Sequence, residues 1–411
     1  MSEELPRLLY VADVGVAATS SGPLHLYRLL KKYPADRLLI AESSFATTDP
    51  GERLPEVRYV SFDAGNPRWL STRVGQWYGS WLHARARWNT GPLSEIVKDW
   101  HPDAILSVWH NYSWLTAARV AEAHDLPLHL IVHDDVPNFE WRAHPLFQSL
   151  YQRDFQRVYR QAASQLCVSP YMEEEYRNRY GVSGTVMYPV RNWGAPDYEE
   201  PPFKLSEPTS DLVVAYSGSL HTPGFRDALR RVAEMLESIG GHLLIFSHID
   251  PDTVRAEEWT LPSMDLRPFV PQEEIIPTLR READVLFLPM AFNGWALSKN
   301  RTNFPSKLAE YTATGLPLLV WGPEETSGVR WARSNPGVAE VITSPDEDTL
   351  QSSLNRLAND PDRRMELGNR ALEVGDQYFH PTTAWSTLCE AVRQETVVSN
   401  PPSTHKVSTR A

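Results

Sequence analysis

The stretch FPSKLAEYTATGLPLLV, residues 304–320, contains residue types that suit phosphate and sugar recognition. Pro305 favours the first turn of a helix, because its ring presets φ and it has no N–H to leave unsatisfied. The amides of Ser306 and Lys307, together with the Lys307 ammonium, would then face an anion such as a phosphate. Glu310 lies one turn further on and offers a carboxylate to ribose hydroxyls. The alternative is a Lys307–Glu310 ion pair within one helix.

Polar residues also follow apolar runs in the first half of the chain. Ser21 and Gly22 lie just before an amphipathic segment, where the backbone can approach a ligand at a helix N-terminus. His110 and Asn111 end one predicted strand, and Asp134 follows another. Because ligands bind beyond the carboxyl ends of strands in doubly wound sheets, we expect these residues to bind the hydroxyls of a ligand. A plain turn and ordinary loop polarity are the alternatives.

The elements that must position these residues are short, mostly continuous apolar runs that alternate with amphipathic stretches. Such runs are typical of parallel strands buried on both faces. The alternation is interrupted at residues 192–210, which are rich in proline and acids, and it resumes after them. The predicted strands are 8–14, 37–42, 57–62, 104–109, 128–133, 165–169 and 185–190 before this linker, and 212–217, 242–247, 266–270, 285–290 and 316–321 after it.

The sequence therefore predicts an α/β fold with two Rossmann-like domains, residues 1–191 and 211–375, whose parallel sheets face each other across a cleft. We expect a final helix, residues 376–393, to return to the N-terminal domain. The tail, residues 394–411, has no periodic pattern and is predicted to be disordered.

Composition narrows the class of protein. A length of 411 residues favours two domains. A net charge of −12 argues against electrostatic binding of nucleic acid over a wide surface. The two cysteines offer neither a disulfide framework nor metal-ligand spacing. An acidic N-terminus and the lack of any apolar run near the ~20 residues that span a bilayer predict a cytoplasmic protein.

Four segments in order, VSPYMEEEYRNRYG with TVMYP, YSGSL, FVPQEEIIPTLRREADVLFLPM and FPSKLAEYTATGLPLLV, resemble the donor half of GT-B glycosyltransferases of the family 4 type. The resemblance covers about residues 165–380, and in the first half it is limited to the loop ending at Gly22 and the strand LIVHDD. It implies transfer of a sugar from a nucleotide diphosphate sugar to an acceptor in the cleft, with retained configuration and without an obligatory metal or other cofactor.

The resemblance also implies roles for residues of the donor half. Gly218 and Ser219 fall at the loop beneath the diphosphate. Phe269 and Val270 fall where backbone groups hold the nucleobase, and Glu310 falls where the family's ribose-binding acid lies.

The chain departs from the family pattern at two places. The first acid of the family's Glu-x7-Glu motif falls at Thr302, and the basic pair after the strand-end glycine is missing, with only His221 and Arg226 nearby. We expect Lys307, with the helix amides and Arg226, to neutralise the leaving diphosphate. The family carries a histidine near the reacting carbon at the place of His133, so His133 and Lys307 are the predicted catalytic residues. A structural histidine is the alternative.

Residues 67–88 suggest how an acceptor arrives. Leu70, Val74, Trp77 and Trp81 fall on one helical face. Such a face suits the headgroup layer of a membrane, and lining a sugar cleft or packing in the core are the alternatives. The flanking residues include no acids and five basic side chains, namely Arg68, Arg73, His83, Arg85 and Arg87.

These observations predict a cytoplasmic glycosyltransferase that moves a hexose-type sugar to a glycan, a glycolipid or a small acceptor, with possible contact at the inner face of a membrane. Two other functions stay open at this point. A nucleotide-sugar 2-epimerase-like isomerase shares the two-domain architecture, and a non-catalytic nucleotide-sugar-binding subunit would tolerate the departures from the family pattern.

Overall fold

A computed structural model describes residues 4–19, 21–46, 48–135, 144–209, 211–220, 223–247 and 259–394. Two parallel sheets organise these residues, as the alternating pattern predicts. His221 and the predicted disordered tail from residue 395 onward lie outside them.

The first sheet has seven strands in the order β3-β2-β1-β4-β5-β6-β7, all parallel. The central strand β1 places Leu9 beside Leu39 on one neighbour and beside Ile105 on the other. The last strand is shorter than the predicted 185–190, because only two of its residues pair with the sheet. The strands are β1 Leu8–Ala12, β2 Leu38–Ser43, β3 Arg58–Phe62, β4 Ala104–Val108, β5 Leu128–Val132, β6 Ser164–Cys167 and β7 Thr185–Val186.

The second sheet has six parallel strands in the order β10-β9-β8-β11-β12-β13. Its last strand, β13, was not predicted; it is four residues long and contains Glu340, which ion-pairs with Arg363. The predicted strand 266–270 begins and ends two residues earlier. The strands are β8 Val213–Ser217, β9 His242–Ser247, β10 Met264–Pro268, β11 Val285–Pro289, β12 Leu318–Trp321 and β13 Ala339–Ile342.

Helices cover both sheets and connect most of the successive parallel strands in the described part of the chain, which is the reason that the strands are buried on both faces. The described α-helices are α1 Ser21–Leu30, α2 Gly75–Ala86, α3 Gly91–Trp100, α4 Ser113–His124, α5 Gln148–Gln161, α6 Pro170–Tyr180, α7 Pro223–Ser238, α8 Gln272–Glu282, α9 Gly294–Asn300, α10 Leu308–Ala313, α11 Ser327–Ser334, α12 Glu347–Asn359, α13 Pro361–Phe379 and α14 Pro381–Val392. None of them combines the length and the apolar character that a membrane crossing requires.

The chain crosses between the two sheets twice. Trp193, just after the first sheet, donates its indole N–H to the carbonyl of Arg28 in α1 at 2.7 Å. The last described helix, α14, lies against α1, where the rings of Trp385 and Tyr33 meet edge-on at 6.0 Å. The domain limits inferred from the sequence, 1–191 and 211–375, remain predictions, and each range contains one of the two sheets.

Candidate functional site

Lys307 lies at the entrance of α10, a helix shorter than predicted. The helix begins at Leu308 rather than at Pro305, because Pro305 and Ser306 form a tight turn whose carbonyls accept the amides of Leu308 and Ala309 at 3.1 Å. Among the described residues, nothing accepts the amides of Ser306 and Lys307. Both amides are therefore available to an anion at this end of the helix.

The Lys307 ammonium reaches the loop that follows β8. Its Nζ lies 4.9 Å from the centre of the Tyr216 ring, a cation–π distance. Gly218 has φ 150°, and a Cβ at this position would lie 2.5 Å from Cε and Nζ of Lys307. Only glycine leaves space for the lysine here. The structure thus brings Gly218 and Lys307 together, as their predicted shared role at a diphosphate requires.

Glu310 binds a residue of the other domain. Arg28 in α1 donates from Nη1 to Glu310 Oε1 at 2.6 Å and to the carbonyl of Val190 at 2.9 Å. Both charged side chains are largely buried, with 6% of the Arg28 side chain and 18% of the Glu310 side chain exposed. The alternative of a Lys307–Glu310 ion pair within the helix is wrong, because Glu310 forms its ion pair with Arg28. The second carboxylate oxygen, Oε2, has no hydrogen bond to a described residue.

A cavity of about 240 Å³ opens beside Lys307 and forms the candidate donor pocket. Lys299, Asn303 and Lys307 line it from the second domain, and Asp134 lines it from the first. Asn303 donates from its side-chain nitrogen to Asp134 Oδ1 at 2.6 Å, and Lys299 Nζ lies 3.3 Å from the same oxygen. Two lysines and one carboxylate give this pocket a positive balance.

The buried Thr302 is also next to a carboxylate, although the family acid is missing from its position. Its hydroxyl donates to Asp135 Oδ2 at 3.3 Å. Arg179 donates to both oxygens of Asp135, at 3.1 and 3.0 Å, and the Tyr176 hydroxyl donates to Oδ1 at 3.0 Å. Asp135 is thus saturated by the protein and joins the two domains rather than facing the donor pocket.

The first domain holds a second cavity of about 350 Å³, the candidate acceptor pocket. Of the residues that the sequence predicted, Gly22, His110, His133 and Asp134 line it. Ser21 begins α1 beside them. Asp134 lines both cavities, so the two pockets meet at this carboxylate.

Asn111 shapes the backbone behind the acceptor pocket. It has φ 48°, and its carbonyl accepts the indole N–H of Trp114 at 3.0 Å and the hydroxyl of Tyr151 at 3.3 Å. Asparagine tolerates this left-handed conformation better than most residues. These contacts account for Asn111 at the turn between β4 and α4, and its contact with an acceptor stays a prediction.

The folded environment of His133 favours the uncharged form of its imidazole. Burial is the main cause that lowers the pKa of His133, and Lys299 lowers it further, whereas Asp134 raises it. Nδ1 is buried and has no hydrogen-bond partner in the described part of the chain. The ring lies against the start of α1, where a Cβ added at Gly22 would be 3.6 Å from Cε1. A neutral imidazole can orient a sugar hydroxyl without adding charge.

The remaining predicted donor residues lie at the carboxyl end of the second sheet. Phe269 and Val270 directly follow β10, and Ser219 is exposed after β8, where its carbonyl accepts the Tyr216 hydroxyl at 2.8 Å. Arg226 donates from Nε to the carbonyl of Leu220 at 2.6 Å and stacks its guanidinium on Trp259. Their proposed contacts with a nucleotide stay predictions.

Several lining residues were missed by the sequence reasoning. Asp13, Thr48 and Glu52 line the acceptor pocket, and Lys299 and Asn303 line the donor pocket. Asp13 directly follows β1, as Asp134 follows β5, so its position at a strand end already indicated a ligand contact. Glu52 and Lys299 follow no strand, and only the folded chain brings them to the site.

Residues 67–88 form two helical pieces with an exposed aromatic surface. A short 3₁₀ helix, Pro67–Ser71, precedes α2, and α2 buries its small residues while it exposes Trp77 (54% exposed) and Trp81 (52% exposed). The alternative that these tryptophans are core is wrong. We define the tryptophan surface as the exposed side chains of this segment, namely Trp69, Val74, Trp77, Trp81 and Trp88.

The basic flank of this surface is smaller than predicted. Asp154 binds both His83 and Arg87, and Asp63 binds Arg85 at 2.8 Å. The acids come from outside the segment, so its own composition did not reveal them. Arg68 and Arg73 have no ion-pair partner among the described residues.

Comparisons with known proteins agree with this architecture. Residues 24–193 match the family model Glycosyltransferase Family 4. HepE from Anabaena in complex with UDP aligns over 94% of this chain and 99% of its own at 15% identity, with a TM-score of 0.64. Sucrose-phosphate synthase from Thermosynechococcus elongatus aligns over 94% and 98% at 15% identity, with a TM-score of 0.64. No match was found among curated proteins.

Two parallel Rossmann-like sheets with pockets that meet between them form the GT-B fold, which these solved structures share. The match of residues 24–193 to the Glycosyltransferase Family 4 model, together with this fold, identifies the protein as a glycosyltransferase. The fold and the family type that the sequence motifs predicted are both confirmed.

Proposed function

We propose that this protein transfers a sugar from a uridine diphosphate sugar to a hydroxyl group of a second sugar, free or lipid-linked, with retained anomeric configuration. The observation that carries the proposal is the meeting of two pockets at Asp134, one lined by lysines and the other by carboxylates. The choice of nucleotide is supported by HepE, whose structures hold UDP, UDP-glucose, and UDP with glucose. Retention follows from the resemblance to the family 4 type.

The nucleotide binds to the second domain in this proposal. Lys307 and the amides of Ser306 and Lys307 hold the diphosphate above Gly218, and no metal ion is needed because the cation is the lysine. Glu310 keeps Oε1 on Arg28 and offers Oε2 to the ribose hydroxyls. The backbone of Phe269 and Val270, at the end of β10, holds the base.

Bond cleavage leaves negative charge on the diphosphate and positive charge on the sugar ring. Lys307 stabilises the departing diphosphate from the second domain. His133 and Asp134 face the sugar from the first domain, where the neutral imidazole orients a hydroxyl and the carboxylate stabilises the oxocarbenium-like ring. The acceptor hydroxyl approaches from the first-domain pocket, so the reacting groups meet at Asp134.

We also propose that the tryptophan surface brings the acceptor domain to the inner face of a membrane. The Ser44 hydroxyl donates to the carbonyl of Gly65 at 2.5 Å, and the amide of Asn66 donates to the hydroxyl of Tyr78 in α2 at 2.8 Å. Phe45 and Ala46, next along from Ser44, line the acceptor pocket. A lipid-linked acceptor held at this surface would thus lie one loop away from the pocket.

Product analysis tests the function. UDP-glucose is incubated with the protein and a panel of sugar and glycolipid acceptors, with chelator present, and nucleotide and sugar products are resolved by chromatography and NMR. We expect free UDP together with an α-linked product. An epimerised nucleotide sugar would identify an isomerase, and UDP-glucose binding without turnover would identify a non-catalytic subunit.

A further inference from the structure

The acceptor pocket has an unusual charge. Three carboxylates, Asp13, Glu52 and Asp134, line it, and no lysine or arginine does so among the described residues. The remaining polar lining consists of hydroxyls and imidazoles, such as Thr48 and His133. A ligand that enters this pocket therefore meets carboxylates on several sides and, from the described part of the chain, no lysine or arginine.

Two cations next to lining residues of the pocket have acidic partners. Arg53 donates to Glu42 at 3.0 Å and stacks on the ring of Tyr59, so it neutralises a carboxylate behind the pocket wall. Lys299 approaches Asp134 at 3.3 Å from the donor side and lines the donor pocket instead. Neither residue presents its charge to the acceptor pocket.

The carboxylates differ in how completely the protein satisfies them. Asp13 is buried and accepts the amides of Tyr112 and Ser113 and the hydroxyls of Ser43 and Ser113. Glu52 has no side-chain hydrogen bond to a described residue, and its backbone carbonyl holds the amide of Ala18 at 2.9 Å. Glu52 is thus the lining carboxylate that is available to a ligand, while its main chain fixes its position.

We infer that the sugar entering the acceptor pocket carries no phosphate or carboxylate group, and that Glu52 is the residue that selects for an uncharged sugar. The inference rests on the proposed function, because it concerns the acceptor side of that site. Ionised carboxylates accept hydrogen bonds from sugar hydroxyls and repel an anionic substituent on the same ring. The same repulsion keeps a diphosphate on the donor side of Asp134, where Lys299 and Lys307 lie.

The experiment compares glucose with glucose 6-phosphate as ligands of the UDP-saturated protein, with dissociation constants measured by saturation-transfer NMR. We expect the wild-type protein to bind glucose at least tenfold more tightly than glucose 6-phosphate. Glu52→Lys should change this ratio at least tenfold in favour of glucose 6-phosphate, and Glu52→Gln should change it in the same direction by less. Glu95→Lys, a reversal at an exposed acid of the same domain, should leave the ratio unchanged.

The inference is overturned if the wild-type protein binds glucose 6-phosphate at least as tightly as glucose. It is equally overturned if both Glu52 variants keep the wild-type ratio of the two dissociation constants. It is also overturned if neither variant binds either sugar. Glu52→Gln covers the event that Glu52→Lys fails to fold, because it is isosteric with the native residue. UDP binding in the same samples separates the two proposals: a protein that binds no UDP refutes the proposed function itself.

Discussion

The donor and acceptor pockets share Asp134 but are built in different ways. Most of the donor pocket comes from one continuous part of the chain, from Leu288 to Lys307, and it carries two lysines. The acceptor pocket gathers residues from the ends of several strands and carries carboxylates. When one segment lines a pocket, its lining residues form a motif that can be recognised in the sequence. When several loops line a pocket, its lining residues are scattered along the chain and can change one at a time.

The contacts that join the two pockets come from both domains. Arg28 of the first domain holds Glu310 of the second, and Asn303 of the second holds Asp134 of the first. Each domain thus positions a carboxylate of the other to which the proposed function assigns a role.

Arg28→Met is expected to have the largest effect on folding. It leaves the Glu310 carboxylate largely buried without its cation, and breaking a buried ion pair in this way costs about 3 kcal/mol. Urea unfolding measures the free energy of unfolding. Adding Glu310→Gln to Arg28→Met should recover a large part of the loss, because the neutral amide needs no cation. Equal stability of wild type and Arg28→Met would show that the two sides fold without this contact.

Lys307→Ala should reduce turnover about a hundredfold, because a contact with the leaving diphosphate is strongest in the transition state. Its effect on the free energy of unfolding should stay within about 0.5 kcal/mol, since the contacts of the ammonium with described residues are those with Tyr216 and Gly218. Steady-state kinetics and a melting curve on the same preparation measure both quantities. Lys31→Ala, a cation of α1 that stacks on Tyr27, is the matched control and should keep full turnover.

The sequence predicted the local motifs of the site but not the contacts between the two domains. Lys307 and Glu310 were predicted from a local motif at a helix start, and Gly218 was predicted from the family resemblance. Their partners were not found, since Arg28 lies 282 residues from Glu310 in sequence and only domain packing brings them together.

Local patterns also set the limits of the predicted elements. Continuous apolar runs predicted the buried strands, but β13 was missed because it is short and contains Glu340. The basic flank of α2 was overestimated because Asp63 and Asp154 lie outside the segment. Burial and charge pairing between distant residues are properties of the folded chain, and a window of sequence does not contain them.

Acid should destabilise the acceptor domain through His129. This residue of β5 is fully buried, and burial lowers its pKa to about 4. The unfolded chain, with a pKa near 6.5, binds the proton more readily, so stability is full above pH 6.5 and falls as the pH drops towards 4. At pH 5 the expected loss is about 2 kcal/mol.

Urea unfolding at pH 7 and at pH 5 checks the effect. His129→Gln keeps a side chain that can bond to Ser164, which lies 2.9 Å from the imidazole in the native protein. This variant should be less stable than wild type at pH 7 and should lose about 2 kcal/mol less between the two pH values. The same pH dependence in both proteins would remove His129 as its cause.

The smallest expected effect concerns the tryptophan surface. Trp77→Ala with Trp81→Ala should weaken binding to vesicles of anionic phospholipid about tenfold, because both side chains are half exposed and belong to the surface that would face the lipid. Added salt should also release the wild-type protein, since Arg68 and Arg73 act only within a Debye length, about 8 Å at physiological salt. Sedimentation with vesicles measures the bound fraction.

The control for this experiment is Phe203→Ala, which removes an exposed aromatic side chain from the linker rather than from α2. It should sediment with anionic vesicles as the wild type does. The two arginines should each contribute about 1 kcal/mol at an anionic surface and nothing at a neutral one. Equal binding to neutral and anionic vesicles would therefore assign the contact to the tryptophans alone. If neither wild type nor variant sediments, the proposed membrane contact is refuted, and a soluble acceptor that reaches the carboxylate-lined pocket from solution is favoured.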